Sequence, residues 1–217
     1  MPTKILLTGF ESFGGQSLNP SWRAVQLAAG ELADAGYEVH TVELPCVFGQ
    51  SARVLSEVLN EKRPELILCV GQAGGRNRLS LERIAINIDD ARIPDNAGNS
   101  PVDSAVVVGG PAAYFATLPI KACLLELERR GIAAGISQTA GTYVCNHVFY
   151  ALMHELHRNV HSSARGGFVH IPFAPEQVPG SSVASMEITT AASALAAIVR
   201  VSLSTGGDIA MAAGTTH

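Results

Sequence analysis

A cysteine and a histidine stand two positions apart in the segment GTYVCNHVFY, residues 141–150. Thiol catalysis needs such residues, because a free cysteine is only a few per cent thiolate at neutral pH and must be activated. Cys145 falls at the predicted start of a helix, whose positive end lowers a thiol pKa and whose first amides can hold an oxyanion. The alternative is a small buried residue, which most cysteines are.

The partner of this thiol need not be the nearest histidine. His147 lies two residues further along the same predicted helix and points to a different face, so we interpret it as structural. His170 lies in GGFVHIPFAP, at the end of an apolar strand. Open α/β sheets place their sites at the C-terminal ends of parallel strands, where His170 could reach a helix that begins beside it. The alternative is a histidine that is hydrogen-bonded within the core.

A carboxylate that orients the base is the third candidate. If LERIAINI is one strand, Glu82 points to the same layer as the three isoleucines that follow it. A carboxylate on a buried face is costly unless a cation or a hydrogen-bond donor meets it, and an imidazolium would be such a partner. The alternative is an ion pair with Arg83 or Arg92, and the alternation argues against Arg83 only.

The sequence signals for a metal site or a nucleotide site are weaker than those for thiol catalysis. Three histidines spaced i, i+3, i+7 could line one helix face as metal ligands: His154, His157 and His161. A solvated polar face is the preferred interpretation, because HELH is not the H-E-x-x-H zinc motif. Three aspartates are interpreted as turn residues: Asp89, Asp90 and Asp95. The glycine-rich loops match neither a P-loop nor G-x-G-x-x-G, so we predict no metal and no cofactor.

Strand-like and helix-like segments alternate along the chain. The predicted strands are 4–10, 37–44, 65–71, 81–88, 133–137 and 168–171, and the predicted helices begin after Asn19 and near residues 54, 120, 143 and 188. This alternation predicts a single three-layer α/β/α domain with a largely parallel twisted sheet over residues 1–205. Residues 89–110 are predicted to be irregular, and residues 206–217 to be a loosely ordered tail.

Composition narrows the class of protein. Apolar residues make up 47% of the 217 residues and charged residues 16%, which suits a sheet that is covered on both faces. A formal net charge of -4 gives no indication of a nucleic-acid or anionic membrane partner. We see no signal peptide and no membrane span. Four scattered cysteines indicate free thiols, and hence a cytoplasmic protein.

Several segments together resemble type I pyroglutamyl peptidases, also called pyrrolidone carboxyl peptidases. In the family's order they are GFESFGG with NPSW, VGQAGGR, ERIAINIDDARIPDN, GTYVCNHVFY and GFVHIP. They extend from about Leu6 to Pro172, and only their combination is specific. The resemblance implies a thiol protease that removes N-terminal pyroglutamate from peptides through a thioacyl intermediate. It also implies a homotetramer and no metal.

Residue roles follow from the resemblance by motif match. It implies Cys145 as nucleophile, His170 as base and Glu82 as the orienting acid, with Arg92 near the cysteine and the oxyanion. The positions that match the family's substrate pocket are Phe10, Phe13, Asn19, Gln72, Tyr143 and Val144. The chain departs from the family pattern at Ser12, where proline is usual, and at Tyr143, where phenylalanine is common.

Two alternative functions remain open from the sequence. One is a glutaminase or other amidase that uses the same triad on a charged substrate, which would need a carboxylate clamp that the sequence does not assign. The other is a ligand-binding or phosphorylase-like α/β protein in which glycine-rich loops hold an anion and Cys145 is inert.

Overall fold

The structure, a computed structural model, describes residues 2–158 and 164–214 of the 217-residue chain. Strands and helices alternate over most of these residues. The strands are β1 Lys4–Phe10, β2 Glu38–Leu44, β3 Leu66–Gln72, β4 Leu79–Glu82, β5 Ile84–Ile86, β6 Ala113–Phe115, β7 Ala134–Ser137 and β8 Arg165–Ile171. The helices are α1 Pro20–Asp34, α2 Gln50–Lys62, α3 Ile120–Arg129, α4 Val144–His157 and α5 Ile188–Ser204, with a short 3₁₀ turn at Pro175–Gln177.

Six strands form the central sheet in the order β2-β1-β3-β8-β4-β7. All neighbouring strands are parallel except β4 and β8, which are antiparallel. The strands β5 and β6 form a separate antiparallel pair. The predicted fold class, an α/β domain with a largely parallel sheet, is therefore confirmed.

Helices cover both faces of the central sheet. The helices α1, α3 and α5 pack on one face, and α2 and α4 pack on the other. On β8, Val169 belongs to the first apolar layer and Phe168 to the second. Since side chains alternate along a strand, His170 lies on the same face as Phe168, which is the face that α4 covers.

The predicted strand 81–88 is wrong as a single element. The chain leaves the central sheet at Arg83, whose N–H donates to the Ser137 carbonyl and whose carbonyl accepts from Ala116. The following residues form β5, which pairs with β6 instead. The Asn146 side chain on α4 binds the backbone N–H and C=O of Ile86, and thereby fixes this pair against the helix.

The residues that follow α5 have no regular secondary structure as far as residue 214. The Asp208 carboxylate nevertheless accepts hydrogen bonds from the N–H groups of Lys121 and Ala122 at the start of α3. The loose order predicted for residues 206–217 stays a prediction. Among the described residues, no helix has the length and hydrophobicity that crossing a bilayer requires.

Candidate active site

The structure brings Glu82 and His170 together. The imidazole Nδ1 of His170 lies 2.7 Å from Glu82 Oε1, and the two residues are 3% and 0% exposed. Because β4 and β8 are antiparallel, Ser80 is directly opposite His170 and Glu82 is opposite Phe168. Glu82 therefore reaches the imidazole diagonally across the strand pair, a distance that long side chains span.

Cys145 lies on the same face of the sheet. It is the second residue of α4, and its sulfur packs over β3 at Gly71. A Cβ atom built on Gly71 would lie only 2.8 Å from Cys145 Sγ and 2.9 Å from Phe168 Cζ. Gly71 pairs in register with His170. The sulfur therefore lies over β3, directly beside the strand β8 that carries His170.

The close approach at Gly71 gives a first prediction. Gly71→Ala is expected to lower kcat by about 100-fold, because the added methyl group displaces the sulfur, and misplacement by about 1 Å costs that much. Steady-state kinetics on a chromogenic or fluorogenic substrate, with circular dichroism to verify folding, measures the effect.

Gly30→Ala on α1 is the matched control, since a Cβ atom at this position would have no neighbouring atom within 4 Å. This control should keep full activity and gain stability through the higher helix propensity of alanine. Activity of Gly71→Ala close to that of Gly30→Ala would contradict the placement of the thiol against β3.

At the start of α4, beside the sulfur, several backbone N–H groups have no acceptor among the described residues. The first helical hydrogen bond runs from the His147 N–H to the Tyr143 carbonyl. Tyr143, the N-cap residue, provides no side-chain cap. The N–H groups of Val144, Cys145 and Asn146 thus precede the first intrahelical bond, which is where an anion is stabilised by a helix.

Burial dominates the electrostatics of the thiol. It raises the pKa of Cys145 well above its usual range, and the nearby Cys46 and Glu82 raise it further, whereas Arg76 lowers it. Desolvation thus opposes the lowering of the pKa that is expected from the helix start. A thiol with a raised pKa requires a base that takes its proton.

Arg76 is a residue of this cluster that the sequence analysis did not assign. Its Nη1–H group donates to Glu82 Oε1 at 2.6 Å, and its Nη2–H group donates to the Thr139 carbonyl. The ion pair considered for Glu82 is therefore formed by Arg76, and neither Arg83 nor Arg92 forms one with it among the described residues. The sequence signal was the arginine that ends VGQAGGR.

His147 is held by protein groups on both ring nitrogens. Its Nδ1 lies 2.8 Å from Asp89 Oδ2, and its Nε2 accepts the N–H of Gly49 at 3.0 Å. The ring is 6% exposed and packs edge-on against Phe48. These contacts support the structural role of His147, which stays a prediction.

Arg92 lies in an exposed loop that is bound to the start of α4. Two residues before it, the Asp90 N–H donates to the Thr142 carbonyl, and the Thr142 hydroxyl donates to the Asp90 carbonyl. Within residues 2–158 and 164–214, the Arg92 guanidinium forms no ion pair. The role of Arg92 beside the oxyanion stays a prediction.

Aromatic rings form a wall beside the helix start. Tyr143 lies 6.0 Å from Phe13 and 5.4 Å from Phe48 between ring centroids. The Tyr143 hydroxyl, which a phenylalanine would lack, donates to the Pro94 carbonyl and so connects this wall to the loop that contains Pro94. Phe48 is a further member that sequence inspection missed, because the segment around it matched no motif.

Three other residues predicted for the pocket are buried beneath the surface of the protein. Phe10 and Val144 are 2% and 0% exposed and belong to the core beneath the aromatic wall. Asn19 caps α1, accepting from the Ser21 N–H and donating to the Glu11 carbonyl.

Gln72 is the remaining predicted pocket residue, and its side chain has a fixed orientation. Its Oε1 accepts from Gln177 Nε2. The orientation of Gln177 is set by backbone groups, because it accepts from the Ala174 N–H and donates to the Leu18 carbonyl. The Nε2 group of Gln72 has no acceptor among the described residues, and it is available to a ligand.

The residues considered for metal binding have other contacts. His154 Nδ1 lies 2.9 Å from the Tyr114 hydroxyl, and the His157 ring packs on Tyr114. His161 lies outside the described residues. Asp95 accepts three backbone N–H groups, as expected of a turn residue. The described part of the chain contains no group of three or more residues arranged to hold a metal ion.

Comparison with known proteins gives one consistent family. The family model described as pyroglutamyl peptidase matches residues 3–205. The pyrrolidone-carboxylate peptidase of Cupriavidus taiwanensis is 51% identical, with all of both chains covered, and that of Streptomyces coelicolor is 48% identical over 99% of this chain and 100% of the relative.

Solved structures agree with the sequence comparison. Pyroglutamyl peptidase I from Bacillus amyloliquefaciens is 45% identical and superimposes with a TM-score of 0.93, covering 98% of this chain and 100% of that one. A mutant pyrrolidone carboxyl peptidase from Pyrococcus furiosus is 40% identical, with a TM-score of 0.87 over 93% of this chain and 99% of that one.

Proposed function

The chain belongs to the pyroglutamyl peptidase family, and we propose that Cys145, His170 and Glu82 carry out its reaction. That reaction is hydrolysis of the peptide bond that follows an N-terminal pyroglutamyl residue. The observation that carries the proposal is the 2.7 Å bond between His170 and Glu82, on the sheet face where the Cys145 sulfur also lies.

The first half of the reaction forms an acyl enzyme. Glu82 accepts the Nδ1–H of His170, which leaves Nε2 as the basic nitrogen that takes the thiol proton of Cys145. The sulfur attacks the pyroglutamyl carbonyl carbon, and the carbonyl electron pair moves onto oxygen. The free N–H groups at the start of α4 and the Arg92 guanidinium stabilise this oxyanion.

The second half releases the two products. The His170 imidazolium gives its proton to the leaving amine as the C–N bond breaks, and the pyroglutamyl group remains as a thioester on Cys145. Water then attacks the thioester while His170 accepts a proton. The C–S bond breaks, the thiol is restored, and free pyroglutamate leaves.

Substrate recognition follows from the chemistry of the pyroglutamyl ring. This ring is flat, and its lactam nitrogen carries no charge, so its pocket needs no carboxylate to hold an α-ammonium. We assign the ring to the aromatic wall of Phe13, Phe48 and Tyr143. The free Nε2 of Gln72 is a donor for the lactam carbonyl.

Alkylation tests the function directly. A fluorogenic L-pyroglutamyl amide should be hydrolysed, and iodoacetamide should abolish the activity by modifying Cys145, the one partly exposed thiol beside three buried ones. Because burial raises the pKa of Cys145, the alkylation rate should keep rising from about pH 6 to about pH 9 rather than stay flat. Peptide mapping by mass spectrometry and residual activity are measured on the same samples.

Two results would contradict this function. One is full activity after complete carbamidomethylation of Cys145. The other is inactivation that follows labelling of Cys46, Cys69 or Cys123 while Cys145 remains free.

Three further parts of the proposal concern the whole protein. We place it in the cytoplasm, with support from its free cysteines. We also propose a homotetramer, which rests on the resemblance to the family. The third part is one catalytic domain over residues 1–205, followed by the tail 206–217.

A further inference from the structure

We propose that Arg76 is a positioning residue of this active site, which holds the Glu82 carboxylate in the orientation that His170 requires. The inference rests on the proposed function, because it assigns Arg76 a role in the same reaction. Arg76 acts through Glu82 and does not itself touch the reacting atoms.

Two donors converge on one oxygen of Glu82. The Arg76 Nη1 and the His170 Nδ1 lie 2.6 Å and 2.7 Å from Oε1. The other oxygen, Oε2, is buried and has no hydrogen-bond partner within the described part of the chain. The position of the carboxylate is therefore set by these two contacts, and loss of Arg76 leaves His170 as its one remaining hydrogen-bond partner among the described residues.

Charge compensation gives Arg76 a second effect. Glu82 is 0% exposed, and a buried carboxylate without a cation is strongly disfavoured. Arg76 supplies that cation while its own side chain stays 30% exposed. It also lowers the pKa of Cys145, against the effect of Glu82, so it favours the transfer of the thiol proton.

The loop that carries Arg76 is fixed to the end of the histidine strand. The Ala73 N–H donates to the Ile171 carbonyl, one residue after His170. Gly74 lies so close to the Phe173 ring that a Cβ atom would be 2.1 Å from it. On the other side, the Thr139 carbonyl accepts from Arg76 Nη2. The loop is thus anchored beside Ile171 and Phe173, and the guanidinium itself is anchored at Thr139.

The first test compares two arginines of the same loop. Arg76→Ala is expected to lower kcat by about 10- to 100-fold, by analogy with the loss caused when the partner that orients a metal-binding histidine or carboxylate is removed. KM should change little, because Arg76 acts only on the chemical step. Arg76→Lys should recover part of kcat, since an ammonium keeps the charge but loses the two-point geometry.

Arg78→Ala is the matched control. Arg78 is an exposed arginine two residues away, whose side chain packs along β7 at Gly135. The Arg78→Ala variant should keep kcat within about twofold of the wild-type value, because substitutions at exposed positions usually have small effects. Equal losses in Arg78→Ala and Arg76→Ala would overturn the inference, because only a general effect on the loop would explain them.

A double-mutant cycle separates positioning from a general effect on stability. In the Glu82→Gln background, Arg76→Ala should cause little further loss of kcat, because the charge that Arg76 holds has already been removed. An undiminished loss in that background would show that Arg76 does not act through Glu82. If Arg76→Ala fails to fold, the cycle is run with Arg76→Lys, and the same two outcomes apply.

The outcomes distinguish this inference from the proposed function. A wild-type protein that does not hydrolyse pyroglutamyl amides contradicts the function itself. An active wild type with a fully active Arg76→Ala variant contradicts only the role of Arg76.

Discussion

Replacing Cys145 by alanine is expected to reduce kcat/KM for a pyroglutamyl amide by at least about 10⁴-fold, because the proposed thioester forms on its sulfur. His170→Ala should lose a similar amount, since a thiol whose pKa is raised by burial requires a base. The double variant should be no worse than either single one, because the two residues act as a unit. Active-site titration and steady-state kinetics measure these effects.

His147→Ala is the control for this pair. His147 contacts Asp89 and Gly49, so its removal should lower the stability by about 1–3 kcal/mol through unpaired buried groups and leave kcat of the folded fraction largely intact. Thermal unfolding gives the stability. If His147→Ala were the inactive variant and His170→Ala the active one, the assignment of the base would be wrong.

Pyroglutamyl amides should be cleaved about 10⁴–10⁵ times more efficiently than prolyl amides with the same leaving group. The two rings differ chiefly in the lactam carbonyl and in the charge on nitrogen. A site that hydrogen-bonds the lactam leaves its own donors and acceptors unpaired when proline binds. An apolar pocket would discriminate by only about 10–200-fold for a change the size of a methylene. The ratio of kcat/KM is the measurement.

Gln72→Met tests which group recognises the lactam, because it removes the Nε2 donor and keeps the length of the side chain. In this variant the ratio of kcat/KM for pyroglutamyl amides to that for prolyl amides should fall. It should stay unchanged in Gln26→Met, a control that replaces an exposed glutamine on α1. A wild-type ratio below about a hundred would remove the physical basis of lactam recognition.

The sequence predicted the layers of the fold more reliably than the local path of the chain. Apolar strand segments such as 4–10 coincide with β1, because a strand buried on both faces is an unbroken apolar run. The break at Arg83 left no trace in the alternation of LERIAINI. The new path after the break is held by Asn146 on α4, which binds Ile86 across sixty residues of the chain.

The arrangement of the candidate active site was likewise only partly predictable from the sequence. Glu82 does meet an imidazole, but the expected reason was incomplete, because β5 does not continue β4 and Glu82 reaches His170 across an antiparallel pair. Arg76 was missed because its contact with Glu82 depends on how a glycine-rich loop folds, which spacing does not predict. The shift in the pKa of the thiol also depends on its burial.

The antiparallel pairing of β4 and β8 ties activity to the last stages of folding. His170 and Glu82 are 88 residues apart in the chain, and they meet only after two central strands of opposite direction are in register. Contacts of such high sequence separation form slowly, since closing the long loop costs entropy before the contact is gained. Recovery of activity therefore follows completion of the sheet, and a fragment that lacks either strand cannot form the pair of imidazole and carboxylate.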